Sequence, residues 1–346
     1  MFKSNFITVI TLYLILGICR GKNLNPYFDS AKSHHTPEGF TNPYLNNEDE
    51  KKSLIDLINM LKEDRPLVNS MKYNEITLFN VDNIENLPDK FAVWGGHSTL
   101  LLNLNGKLIL TDPILSEYCS PVQFVGPKRY TKPALDKTIL NLVDLVIISH
   151  NHYDHLDYNT VMLIGNNASW IVPLGLRSWF KEQGIHTVNE YDWWDEDLVE
   201  GISITCLPSQ HWSKRTLFKE FDTLWSSWSI EYEGFKFWFA GDTGYNLHQF
   251  KEIGNRVGPF DFAAIPIGGY EPRWFMKNFH IDPFEALKIH SDVKSKKSIG
   301  IHWGTFILTT EPVDDPPKKL RWHMEKQGLD SMKFITPSHG EIITFE

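Results

Sequence analysis

The ten residues "SHNHYDHLDY", Ser149 to Tyr158, constrain the fold of this chain more than any other stretch. They set His150, His152 and His155 beside Asp154 and Asp157, directly after the apolar run "LVDLVII". Solubility does not call for so much imidazole, and a core can bury it only if every ring finds a partner. Other apolar runs end in the same kind of residue. "KLIL" runs into Thr111-Asp112, "ISITCLPSQ" delivers His211, "FKFWFAG" delivers Asp242, and "SIGI" delivers His302. Strands whose ends converge on one point can hold polar groups rigidly while leaving one side open.

The surrounding texture agrees with such a scaffold. From Phe91 onward short apolar runs recur, separated by helix-like segments such as "YNTVMLIG" and "PFEALKIHSDV". "LNLNGKLIL" and "IEYEGFKFWF" read as β-hairpins turning on Asn-Gly and Glu-Gly. Many strands with helices between them predict an α/β fold of two packed sheets flanked by helices. This region, 91–346, reads as one large domain. Residues 23–90 are polar, with one amphipathic helix in "NEDEKKSLIDLINMLKED", where Leu54, Ile55, Leu57, Ile58 and Leu61 recur at helical spacing. Residues 1–22 carry Lys3, a nearly uncharged stretch from Phe6 to Cys19, and then Arg20 and Lys22. That run is short for a transmembrane helix and fits a signal peptide, with an N-terminal anchor as the alternative.

Composition removes some functions. The net charge is −9 and no long Lys/Arg run is present, which argues against a nucleic-acid partner. Contact with a membrane surface, if made, should rest on apolar surface rather than on charge. The twelve Trp, twelve Tyr and twenty-two Phe allow for that, or for a large aromatic core. Only Cys19, Cys119 and Cys206 exist, so one disulfide is arithmetically allowed and none is implied.

The His and Asp residues have the makings of a metal centre. Imidazole nitrogens and carboxylate oxygens bind zinc at about 2.0–2.2 Å, and a catalytic site keeps one position open. One short loop can give His150 and His152 to one ion and Asp154 and His155 to a second. Asp242, from a distant strand, can bridge them, with His211 and His302 completing the first and second ion. A hydroxide between two such ions is a strong nucleophile at neutral pH.

"HNHYDH", with "TDP" upstream and "SQHW", "GDTG" and "IHWGT" downstream, resembles the motif series of the metallo-β-lactamase fold. Within that superfamily, "SPVQFVGPKRY", "PSQHWSKRTL" and "FDFAAIPIGGYEPRWFMK" are similar to the N-acyl-phosphatidylethanolamine phospholipase D family. The resemblance covers about residues 91–345 and implies an αββα sandwich. It implies two Zn²⁺, one on His150, His152 and His211, the other on Asp154, His155 and His302, with Asp242 bridging. It also implies hydrolysis of N-acyl-phosphatidylethanolamine to N-acylethanolamine and phosphatidic acid through a hydroxide held by the two zincs. Asp154, Asp242 and His280 are then the catalytic residues, and Tyr153 and His280 the substrate contacts. A lactonase or another phosphodiesterase on the same site is the alternative. Asp112, in "TDP", either orients a ligand histidine or forms a turn before Pro113. The family often has Gln before the residue matching His280, whereas this chain has Phe279. Lys128, Arg129, Lys214, Arg215 and Arg273 either face an anionic head group or form a solvated surface, with none singled out, and "PRWFMKNF" either lines an acyl path or packs in the core. The expected partners are N-acyl-phosphatidylethanolamine or a related phospholipid and a membrane surface, with a homodimer allowed. The expected location is membrane-associated, and in the secretory pathway or outside the cell if the leader is a signal peptide.

Overall fold

In the computed structural model, residues 24–46, 49, 52–64, 78–80, 84, 87–216 and 219–345 are described, so the leader expected over 1–22 lies outside the described residues. A ribbon of β1 (His35–Thr36) and β2 (Gly39–Phe40) begins the chain and is followed by α1 (Leu54–Lys62). Next come β3 (Lys90–Gly96), β4 (Thr99–Leu104), β5 (Lys107–Thr111), β6 (Leu145–Ile147), α2 (Tyr158–Ile164), β7 (Ser169–Pro173), α3 (Arg177–Glu182) and β8 (Val188–Tyr191). The second half contributes β9 (Glu196–Val199), β10 (Ile202–Leu207), β11 (Lys214–Thr216), β12 (Lys219–Glu220), β13 (Ser227–Tyr232) and β14 (Phe235–Phe239). It ends with α4 (Gln249–Arg256), β15 (Phe262–Pro266), α5 (Arg273–Met276), α6 (Pro283–Asp292), β16 (Ser298–Ile301), α7 (Asp315–Lys326), β17 (Phe334–Ile335) and β18 (Ile342–Thr344).

Two seven-stranded sheets result, in the orders β18-β3-β4-β5-β6-β7-β8 and β17-β16-β15-β14-β13-β10-β9. Both are half antiparallel and half parallel, switching at β5 in one and at β14 in the other. The expected hairpins are β4–β5, turning on Asn105-Gly106, and β13–β14, turning on Glu233-Gly234. All four turn residues have positive φ, the backbone that tight two-residue hairpins require.

Strand periodicity explains the layers. In β3 and β4, Ala92, Trp94, Leu100, Leu102 and Leu104 face the other sheet, where they meet Ile204, Trp228, Phe237 and Phe239. Their neighbours Phe91, Val93 and Leu101 point outward, onto Ile139, Val161 and Phe180 of the covering turn and helices. The second sheet is covered likewise by Phe250 and Ile253 of α4, Leu287 and Ile289 of α6, and Leu320 of α7. Helices, sheet, sheet and helices stack in that order, the αββα sandwich. Strands buried on both faces read as nearly continuous apolar runs, which is how they look in the sequence. Cys119 and Cys206 are both free and buried, so no disulfide joins them. Among the described residues no helix is long and apolar enough to cross a membrane.

The polar arm is bound to this sandwich by a buried latch. Asp192, just after β8, accepts from Lys32 and lies 2.7 Å from His34 Nε2 and 3.0 Å from His35 Nε2. His34 stacks on Trp193, and His35 Nδ1 accepts the Asp29 N–H at 3.1 Å. Burial alone would raise the Asp192 carboxyl, but the bonds from His34 and Lys32 hold it well below the usual range. A depressed carboxyl adds stability above its unfolded value of about 3.9, and loses it as pH falls toward the folded value. Asp192→Ala is therefore expected to cost about 2–3 kcal/mol at pH 7, the range for hydrogen bonds to a charged group. The gap to wild type should begin to narrow below about pH 4 and shrink progressively as the pH falls further. Thermal melts at both pH values check this, and a gap that widens with acid would show the latch to be misread.

Candidate metal centre

The carboxyl ends of β3, β5, β6, β10, β14 and β16 meet at one end of the sandwich. They deliver His97, Asp112, His150, His211, Asp242 and His302 respectively. His97, Asp112 and His302 sit at φ +52°, +32° and +64°, a left-handed backbone that is rare for non-glycine residues and gathers at functional sites. Gly241 permits the approach of β14, because a Cβ there would lie 2.6 Å from Ser149 Cβ.

Two groups of side chains adjoin. In the first, His152 Nδ1 lies 2.8 Å from His150 Nε2 and 3.3 Å from His211 Nε2. In the second, His155 Nε2 and His302 Nε2 lie 3.4 and 3.7 Å from Asp154 Oδ2. Asp242 Oδ2 stands between the groups, 3.1 Å from His155, 3.2 Å from His302 and 3.8 Å from His211. Ligands on one zinc, each about 2.0–2.1 Å from it at a tetrahedral angle, stand roughly 3.3 Å apart, so this spacing suits a divalent cation. Hydrogen bonding gives the same result. His155 Nε2, His302 Nε2 and Asp242 Oδ1 are buried yet have no hydrogen-bond partner among the described residues.

On four of the five histidines the opposite ring nitrogen is engaged, and on His152, which turns Nδ1 inward, the buried Nε2 has no partner among the described residues. His155 Nδ1 donates to Asp112 Oδ2 at 2.6 Å, His211 Nδ1 to the Phe279 carbonyl at 3.0 Å, and His302 Nδ1 to the Gly268 carbonyl at 3.2 Å. His150 Nδ1 meets Ser149 Oγ at 2.9 Å, and that hydroxyl in turn donates to Asp112. With Nδ1 held by these bonds, the Nε2 atoms of the four face the centre, the arrangement by which outer hydrogen bonds orient metal-ligating histidines. Asp112 thus orients His155 directly and His150 through Ser149, and it also accepts the Ser149 N–H at 2.7 Å.

Charge follows the geometry. Burial alone would raise Asp154 and Asp242, but His155, with His302, holds both carboxyls well below their usual range. Burial would depress His302, yet Asp242 and Asp154 hold it at about 9. Burial keeps His150, His152 and His211 below their usual values, leaving neutral lone pairs at pH 7. The two carboxylates hold His155 and His302 above their usual values, and the positive charge those rings carry is what divalent cations would supply in their place.

The remaining candidates fall on either side of this centre. The His280 ring lies 5.1 Å from His211 and 5.6 Å from His302, with Nδ1 3.8 Å from Asp242 Oδ2. Tyr153 is half-buried and donates its hydroxyl to the Arg215 carbonyl at 2.8 Å. Phe279 packs its ring edge-on to His211 in addition to accepting from it. The basic candidates are committed elsewhere. Arg215 stacks on Tyr153 and Trp179 and donates to the Asn151 and Leu156 carbonyls, clamping the two flanks of the metal loop. Arg129 stacks on Phe306 and bonds the Ser116 carbonyl, Lys128 pairs with Glu117, and Lys214 pairs with Glu220. Arg273 grips Glu285 and the His280 carbonyl at 2.8 Å each. In "PRWFMKNF", Trp274 is exposed and donates to Glu63, while Phe279 is buried. The sequence reading missed His97, which joins Asp154, His155 and His302. Its only sequence signal is a histidine inside the glycine turn "WGGHST" between two apolar runs. A cleft opens beside it, walled by His302, Phe306, Leu308 and Val313.

A sequence profile described as a beta-lactamase superfamily domain matches residues 107–303. The chain is 42% identical over 298 residues to N-acyl-phosphatidylethanolamine-hydrolyzing phospholipase D 1 of Caenorhabditis elegans, covering 82% of this chain and 83% of that one. It is 37% identical over 264 residues to the mitochondrial N-acyl-phosphatidylethanolamine-hydrolyzing phospholipase D of Saccharomyces cerevisiae, covering 74% of this chain and 56% of the yeast protein. A solved metallo hydrolase from the archaeon Ignicoccus hospitalis superposes with a TM-score of 0.56 at 20% identity, covering 74% of this chain and 98% of that one, a likeness of fold.

Proposed function

The chain belongs to the family of these N-acyl-phosphatidylethanolamine-hydrolyzing phospholipases D, within the β-lactamase superfamily, and from that premise we propose that it cleaves N-acyl-phosphatidylethanolamine to N-acylethanolamine and phosphatidic acid. The observation that carries the proposal is the position of Asp242, one carboxylate oxygen within 3.1–3.8 Å of histidines from both groups. In this reading His150, His152 and His211 would hold one zinc, Asp154, His155 and His302 would hold the other, and Asp242 would serve both. Two zinc ions there would supply the Lewis acidity that activates a water and neutralises a phosphodiester's oxygens.

The chain's own residues do the rest. Asp112 and Ser149 hold the imidazoles in one tautomer and orientation. Arg215 keeps the loop from spreading. His280, over the shared carboxylate, is placed to hydrogen-bond the substrate phosphate, and Tyr153 borders the same loop. A phospholipid is met at a membrane surface, and exposed apolar side chains suit that contact. Phe124 and Val125 are 80% and 57% exposed, on a stretch whose Ser116 bonds Asp157 beside the metal loop.

Incubation of the purified protein with N-acyl-phosphatidylethanolamine and, separately, with phosphatidylcholine tests the proposal. Release of N-acylethanolamine is expected, with little cleavage of phosphatidylcholine and none of either lipid by His150→Ala. Equal cleavage of both lipids would reject the substrate, as would turnover of a lactone or soluble phosphodiester alone. Metal analysis of the active protein distinguishes zinc from iron or manganese, which accept similar ligands.

A further inference from the structure

We infer that His97 is a positioning residue of the second ion, holding the Asp154 carboxylate in place by a hydrogen bond from Nε2–H. The inference rests on the two-metal reading above and adds a residue that this reading does not use. His97 Nε2 lies 2.9 Å from Asp154 Oδ2 with hydrogen-bonding geometry, and the side chain is buried. His155 and His302 behave differently. Their Nε2 atoms stand 3.1–3.7 Å from the carboxylates yet bond neither. Two histidines therefore aim past the carboxylates, into the space between them, while the third aims at a carboxylate. A carboxylate oxygen has two lone pairs, so Oδ2 can accept from His97 and still face an ion.

The backbone supports this role. His97 occupies the turn between β3 and β4 at φ +52°, where glycine or asparagine would fit with less strain. Its N–H donates to Thr305 Oγ1 at 2.6 Å, and its carbonyl accepts from Trp94 Nε1 and from the His302 N–H, at 2.9 Å each. Thr305 is itself within 3.1 Å of His339 Nε2. The residue that orients Asp154 is thus tied through its own backbone to the ligand His302. Phe306 stands edge-on to the His97 ring and backs it from the cleft. The Asp154 side chain is 16% exposed against 1% for Asp242, so it is the carboxylate with more freedom to turn away.

Two variants separated by one methylene test the inference. His97→Asn accepts the left-handed backbone but is too short to reach Asp154, whereas His97→Gln places an amide N–H near the position of Nε2. Zinc equivalents and affinities are read by competition with a chromophoric chelator, and melting curves confirm folding. Wild type is expected to hold two zinc ions. In His97→Asn one of the two should weaken by about 10–100-fold, the usual loss when an outer-shell partner is removed, while the other is unchanged. His97→Gln should recover most of that loss. A folded His97→Asn with both affinities at the wild-type level overturns the inference, as does equal weakening in Asn and Gln. Wild type that binds fewer than two zinc ions overturns the two-metal reading and this inference together.

Discussion

Asp242→Asn is expected to abolish turnover and reduce zinc uptake while leaving the fold intact. Asparagine matches the shape of aspartate, so the end of β14 and the Gly241 turn can stay as they are. What changes is charge. Among the described residues Asp242 is the only carboxylate within 3.8 Å of both His211 and the His155–His302 pair, and in the proposed two-metal reading a neutral amide cannot replace its charge. Loss of one preorganised donor in an active site typically costs about 10²–10³-fold in rate. Loss of a ligand common to both ions should exceed that, and a fall of at least about 10³-fold is expected. Metal counting should show fewer than two zinc ions per chain, and circular dichroism should be unchanged. A variant that kept two ions and a tenth of the activity would show that Asp242 does not bridge.

The second large effect is on stability. Trp228 lies on β13, is fully buried between the sheets, and donates Nε1–H to the Ile148 carbonyl at 3.0 Å. That bond crosses from one sheet to the other, two residues before the first metal-loop histidine. Trp228→Ala opens a cavity in the inter-sheet core and is expected to cost about 3–5 kcal/mol. Trp228→Phe retains most of the apolar volume but leaves the Ile148 carbonyl unpaired, which should cost about 1–3 kcal/mol. Denaturant titration gives both values. If the alanine variant lay within about 1 kcal/mol of wild type, the inter-sheet packing described here would not be what holds the halves together.

Seven of the side chains at the centre were legible in the sequence because each lies at a recognisable place in a local pattern. His150, His152, Asp154 and His155 share one loop, while His211, Asp242 and His302 each follow an apolar strand. The αββα layering was legible for a related reason, since strands covered on both faces must be apolar almost throughout. His97 escaped notice because nothing local distinguishes a lone histidine in a glycine turn from a solvated one. Only the pairing of β3 with β4, and of both with the β16 end, brings it to Asp154. The basic residues could not be placed from the sequence for the same reason. Charge in a sequence is visible, but whether a guanidinium faces a ligand or a backbone carbonyl depends on its neighbours. Arg215 turned out to clamp the metal loop, and Arg129 to lie on Phe306.

By itself, then, the sequence determined the layer architecture and the His and Asp residues that stand at the strand ends, because hydrophobic period and residue type are properties of short segments. Only the tertiary structure decided which nitrogen of each histidine faces inward, which carboxylate stands between the two groups, and which basic side chains are already paired. Those are matters of distance and hydrogen-bond direction between segments far apart in the chain, and they exist only once the two sheets have packed.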